Sequence, residues 1–123
     1  LVVKPLARSY SPIFPLPPLL ELYATDQYNQ PGTPLYYPSS SSASQPQVQS
    51  GNLVIDDTYG VGTQYTYDVT SYLQAQMAVE QNNQNGLLLL PPNPASIFNR
   101  VVVGNSVNTT SQTQLKVYYA SVQ

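Results

Sequence analysis

The chain has 123 residues, six carboxylates against four cations for a net charge of −2, eleven Tyr, and no His, Cys or Trp. Without His or Cys it can build no Ser-His-Asp or Cys-His nucleophile system, no imidazole or thiolate metal site and no disulfide. Charged residues make up 8% of the chain, against about 25% in an ordinary soluble domain. Lys4, Arg8, Arg100 and Lys116 form no basic stripe, which argues against nucleic acid and against docking on an anionic membrane.

The length suits one domain with a modest core, so 1–123 is read as a single β-sandwich domain. The sequence opens inside the apolar run Leu1-Val2-Val3, which reads as a strand already under way and so as the C-terminal part of a longer or processed chain. Leu1–Ala7 is that strand, confined by Pro5 to an edge or a bulge. Pro12, Pro15, Pro17 and Pro18 keep Ser9–Pro18 out of regular structure. Leu19–Tyr23 follows as a strand with Leu20 and Leu22 on one face. Residues 26–50 read as a long Pro/Ser-rich loop containing Ser39–Ser44, in which Tyr36 and Tyr37 are too costly to leave wholly wet.

Leu53–Asp57 is a short strand and Tyr59–Gly62 a turn. Gln64–Asp68 alternates, with Tyr65 and Tyr67 on one face and Gln64, Thr66 and Asp68 on the other. The period then changes to that of a helix over about 70–81, capped by Asp68 or Thr70 and facing the sheet through Leu73 and Met77. Leu87–Leu90, Phe98–Val103 and Leu115–Ala120 complete the set of predicted strands. The longest purely apolar run, Leu87–Leu90, is far too short to cross a bilayer. Short strands, frequent turns and one helix predict an all-β class, a β-sandwich or jelly roll with the helix packed on the sheet.

The segments YTYDVTSYLQAQM, NGLLLLP, FNRVVVG and QLKVYY, in that order from Tyr65 onward, resemble the C-terminal part of a Bacteroidota surface lipoprotein family, domain of unknown function 4270. They are more distantly similar to DNRLRE-type carbohydrate-binding jelly rolls. The resemblance implies a β-sandwich on the outer membrane, facing outward, with a longer parent carrying a lipidated N-terminal Cys that this sequence lacks. It implies no catalytic residues.

Chemistry-bearing residues are sparse. Asp56 and Asp57 are neighbours that a strand would point to opposite faces; with Asp26 they offer oxygen ligands of the kind Ca²⁺ takes, and Asp56-Asp57, ahead of Thr58-Tyr59-Gly60, reads instead as turn chemistry. Arg100, in an otherwise apolar strand, reads as pairing with an acid or reaching the sheet rim. Asn108-Thr109-Thr110 matches a glycosylation acceptor pattern. Tyr36, Tyr37 and Tyr59 are candidates for protein contact or for stacking on sugar rings. Few Lys or Glu guard the strand edges, so Leu1, Val2 and Val3 are candidates for edge-strand pairing. The sequence therefore predicts a non-enzymatic structural or interaction module of an extracellular or cell-surface assembly, lipoprotein complex or fibre. Its expected partners are proteins or further copies of itself, and it has no cofactor or metal. The alternative is a carbohydrate-binding module.

Overall fold

The alternation at Gln64–Asp68 becomes the centre of the molecule. In the computed structural model, which describes residues 1–38, 45–79 and 83–121, Tyr65 and Tyr67 are buried at 0% and 5% exposure. They lie between two three-stranded antiparallel sheets that give an all-β, sandwich-like fold with one short helix. The elements are β1 (Val2–Val3), β2 (Glu21–Thr25), β3 (Pro31–Pro34), β4 (Asn52–Val54), β5 (Gln64–Thr66), α1 (Thr70–Met77) and β6 (Gly86–Leu90). One sheet has the order β1-β5-β4 and the other β3-β2-β6. The Ser39–Ser44 tract and the expected end of the helix at Glu80–Asn82 lie outside the described residues.

Val3 and Leu53 stand opposite Tyr65 on the two flanking strands, and Leu20 and Leu22 supply the facing layer. Burying a Leu such as Leu22, which has no exposed surface, contributes about 2 kcal/mol. The Pro-rich stretch before β2 cannot make a ladder, and its carbonyls need other donors. The core tyrosines supply them: the Tyr65 hydroxyl donates to the Pro17 carbonyl at 2.6 Å and the Tyr67 hydroxyl to that of Leu20 at 2.8 Å.

Residues 26–50 hold more order than a loop. Asp26 Oδ1 accepts the amides of Tyr28 and Gln30, making the turn that returns the chain as β3. Pro31 and Pro34 are tolerated there because β3 is an edge strand. Beyond it, Tyr36 bridges to Val48 and the Tyr37 amide donates to the Gln47 carbonyl at 2.9 Å. Gln49, only 2% exposed, ties this hairpin to the end of the core strand. Its Nε2 donates to the carbonyls of Tyr36 (2.9 Å) and Asp68 (2.7 Å), and its Oε1 accepts the Asp68 amide at 2.9 Å.

Two expected strands in the C-terminal third do not form. Phe98–Val103 contributes a bridge from Val103 to Pro5 and a bond from the Leu6 amide to the Val102 carbonyl. Arg100, expected to find an acid or the sheet rim, lies 4.6 Å from the centroid of the Phe14 ring. Leu115–Ala120 forms no strand and makes no backbone hydrogen bond among the described residues. β-propensity is realised only against a neighbouring strand, and these segments have little or none. In α1 only Leu73 packs on the core; Met77, expected beside it, is 86% exposed. The helix is held instead by the Tyr72 hydroxyl, which donates to the Gly86 carbonyl at 3.0 Å.

Candidate functional site

The three loop tyrosines do not converge. Tyr59 tops the β4–β5 turn at 80% exposure and lines a cleft of about 550 Å³ with Arg8, Tyr10, Pro15, Ile55 and Asp57. Tyr36 lines a separate recess of about 220 Å³ beside Tyr72 and Gln49. Tyr37 is 38% exposed and its backbone belongs to the hairpin with Gln47.

The first cleft is built on a rigid turn. Asp56 Oδ1 accepts the amides of Thr58 and Tyr59, each at 3.1 Å, and its Oδ2 accepts that of Gly62 at 3.0 Å. Those bonds, from the Tyr59 and Gly62 amides above all, hold the carboxyl below its ordinary range. Gly60, at φ 72°, supplies the left-handed residue the turn needs. Below, the buried Thr63 hydroxyl accepts the Asp56 amide at 3.0 Å and shares a 2.6 Å hydrogen bond with the Tyr10 hydroxyl. The cleft thus presents one exposed ring, a second ring fixed by its hydroxyl, and the exposed Asp57 and Arg8. Tyr10 and Arg8 carry no sequence signal, because a Pro-rich segment has no periodicity from which to place them.

A second region lies at the other edge of the core sheet. Leu1 extends β1 by one residue: its amine donates to the Tyr67 carbonyl at 2.8 Å and its carbonyl accepts the Tyr67 amide at 2.9 Å. Val2 and Val3 are buried at 7% and 1%. On its other side Val2 exchanges both backbone bonds with Gln114, each 2.8 Å. β1, with Leu1, Val2 and Val3 expected as a pairing edge, is the edge strand of its sheet, and its outer side is met at Val2 by the isolated bridge to Gln114. The segment after Gln114 walls a groove of about 960 Å³ opposite Leu1, Val69, Leu73 and Met77. Its Leu115, Val117, Tyr118 and Tyr119 are 52%, 63%, 89% and 88% exposed.

Of the carboxylates that invited a metal reading, Asp26 and Asp56 have structural work, and Asp57 stands exposed. Asp26 and Asp56 organise turns, and Asp68 Oδ1 accepts both the amide and the hydroxyl of Thr70 at the start of α1. Those bonds depress its pKa. Among the described residues no three acidic side chains cluster as a metal site, and no helix is long and apolar enough to cross a membrane. No family model, curated protein or solved structure matches the chain significantly.

Proposed function

We propose that the chain is a non-enzymatic interaction module of an extracellular or cell-surface assembly, which docks through the strand-like segment Leu115–Tyr119. The observation that carries this is the unpaired state of that segment. It continues from a two-way hydrogen-bonded pair with Val2, then makes no backbone hydrogen bond to other described residues while exposing three of its four largest apolar side chains by more than 60%. A strand edge with one charge, Lys116, lacks the usual protection against further pairing. Edge addition is a common mode of protein recognition. Against catalysis stands the employment of Asp56, Asp26 and Asp68 in turns and a helix start, which leaves no described pair of free carboxylates facing one cavity. The surface location rests on the family resemblance and the low charge.

Light scattering over a concentration series tests it. The native chain is expected at a multiple of 13.5 kDa, and Val117→Pro, which removes a backbone donor, at 13.5 kDa. A native chain that stays monomeric throughout contradicts the reading.

The cleft at Tyr59 favours a second reading, glycan binding, with Tyr59 as the stacking ring and Asp57 and Arg8 as hydroxyl partners. Retention of the monomer on polysaccharide, lost in Tyr59→Ala, is its expected signature; equal retention of both proteins contradicts it.

A further inference from the structure

We propose that Arg8, held at the Tyr59 cleft by a strained turn, binds the carboxylate of an acidic glycan, one built from uronic acid residues. This rests on the glycan reading of that cleft and narrows its ligand to a charged class.

Arg8 stands where its own backbone is strained. The Ser9 amide donates to the Leu6 carbonyl at 3.1 Å, closing a four-residue turn in which Arg8 is third. Its φ is 64°, while Ala7 before it is not left-handed. That is the pattern of a type II turn, whose third position calls for Gly or Asn. An ordinary Cβ is strained there. The other left-handed non-Gly residue among those described, Asn29, obeys the rule; Arg8 does not.

Strain of this kind persists where the side chain it presents is used. Within the chain Arg8 gains little. Arg100 bonds the Ser9 carbonyl and lies 4.6 Å from the Phe14 ring centroid, whereas Arg8, itself exposed, makes no such contact among the described residues. What the turn secures is position: it brings Arg8 to the cleft wall with Tyr10, Asp57 and Tyr59.

The residue type then selects the ligand. Asn would serve sugar hydroxyls as well, since it both donates and accepts and tolerates the left-handed backbone. Arg adds a permanent positive charge and a planar fork that matches a carboxylate. Of the two acids in the cleft, Asp56 has both oxygens engaged by the amides of Thr58, Tyr59 and Gly62. Asp57 stands exposed and accepts hydroxyls. A uronic acid ring lying on Tyr59 offers both kinds of group at once, its carboxylate to Arg8 and its hydroxyls to Asp57.

The strain supplies a readout that needs no ligand. Arg8→Gly is expected to raise Tm by about 3 °C, by relieving the left-handed backbone, and to lose retention on polygalacturonate. Arg8→Lys, which keeps the charge and the strain but not the fork, is expected to leave Tm unchanged and weaken retention about tenfold. The native chain is expected to prefer polygalacturonate to its methyl ester, which has the same backbone without the charge, and to lose that preference as salt rises. Equal retention of the native chain and Arg8→Gly on polygalacturonate, with Tyr59→Ala released, overturns the role of Arg8 and leaves the glycan reading standing. Retention on the ester or on neutral polysaccharides alone does the same. A Tm lowered by Arg8→Gly makes the side chain structural and overturns the proposal. No retention on any of these polymers overturns both readings.

Discussion

Two pairs of tyrosines, Tyr65 with Tyr67 and Tyr118 with Tyr119, sit in stretches of similar β-forming character and meet opposite fates. The first pair is buried, with both hydroxyls bonded to backbone carbonyls; the second is nearly nine-tenths exposed. Side-chain chemistry does not separate them, since the residues are the same. What differs is the neighbourhood of the backbone. β5 lies between β1 and β4, so its alternation is imposed on a sheet that already has two sides. Leu115–Ala120 follows Gln114, which pairs with Val2, and makes no backbone hydrogen bond to other described residues, its apolar side chains standing exposed. The same β-propensity makes a core where a partner strand is supplied and leaves the side chains exposed where, among the described residues, none is.

The sharpest way to break the comparison is at Gly51, which has φ 73° and lies against the Tyr67 ring. A Cβ there would stand 2.7 Å from the Tyr67 hydroxyl oxygen. Gly51→Ala is therefore expected to cost about 3 kcal/mol in urea unfolding, by steric conflict and a left-handed backbone together. Gln49→Ala comes next, at about 2 kcal/mol, because it strands the Tyr36 and Asp68 carbonyls and the Asp68 amide.

Alkali separates the two regions by charge. Burial pushes the Tyr65 phenol up to about 12 and that of Tyr67 up as well. A pKa raised in the folded state gives stability that is intact below the unfolded value near 10 and lost as pH rises through the folded value. Stability is expected to fall by about 1 kcal/mol between pH 10 and 11 from Tyr65 alone. Tyr67→Phe, which leaves the Leu20 carbonyl unpaired, is expected to cost about 1 kcal/mol at neutral pH. At the small end, Tyr118→Ser is expected to change the monomer's stability by less than about 0.5 kcal/mol; a larger loss would show that the segment packs within its own chain.

Much of the core was legible in the sequence. Alternation placed Leu20, Leu22, Tyr65 and Tyr67 on inward faces, and Gly86–Leu90 joined the sheet as the apolar run implied. Asp56 declared its turn through the Thr58-Tyr59-Gly60 that follows, whereas the turn at Asp26 showed only in its bonds to the Tyr28 and Gln30 amides. What was not legible depended on partners distant in the chain. Pro31 and Pro34 argue locally against a strand, and only an edge position beside β2 admits them. Phe98–Val103 and Leu115–Ala120 have strand composition but no sufficient neighbour, so their strands are absent. The candidate surfaces shifted for the same reason. Val2 and Val3 have the composition of a free edge, yet Gln114 occupies the outer side of Val2. Tyr59 gained a cleft through Tyr10 and Arg8, which no local pattern ties to it, while Tyr36 and Tyr37 were drawn into a hairpin fastened by Gln49.

Hydrogen exchange of the backbone amides, followed at low and high protein concentration, compares the two tyrosine regions in one experiment. The account predicts that Tyr65 and Tyr67 are protected at every concentration, and that Leu115, Val117 and Tyr119 gain protection as concentration rises. Exchange of Leu115–Tyr119 at the rate of an unstructured chain at all concentrations, with Tyr65 and Tyr67 still protected, would contradict it.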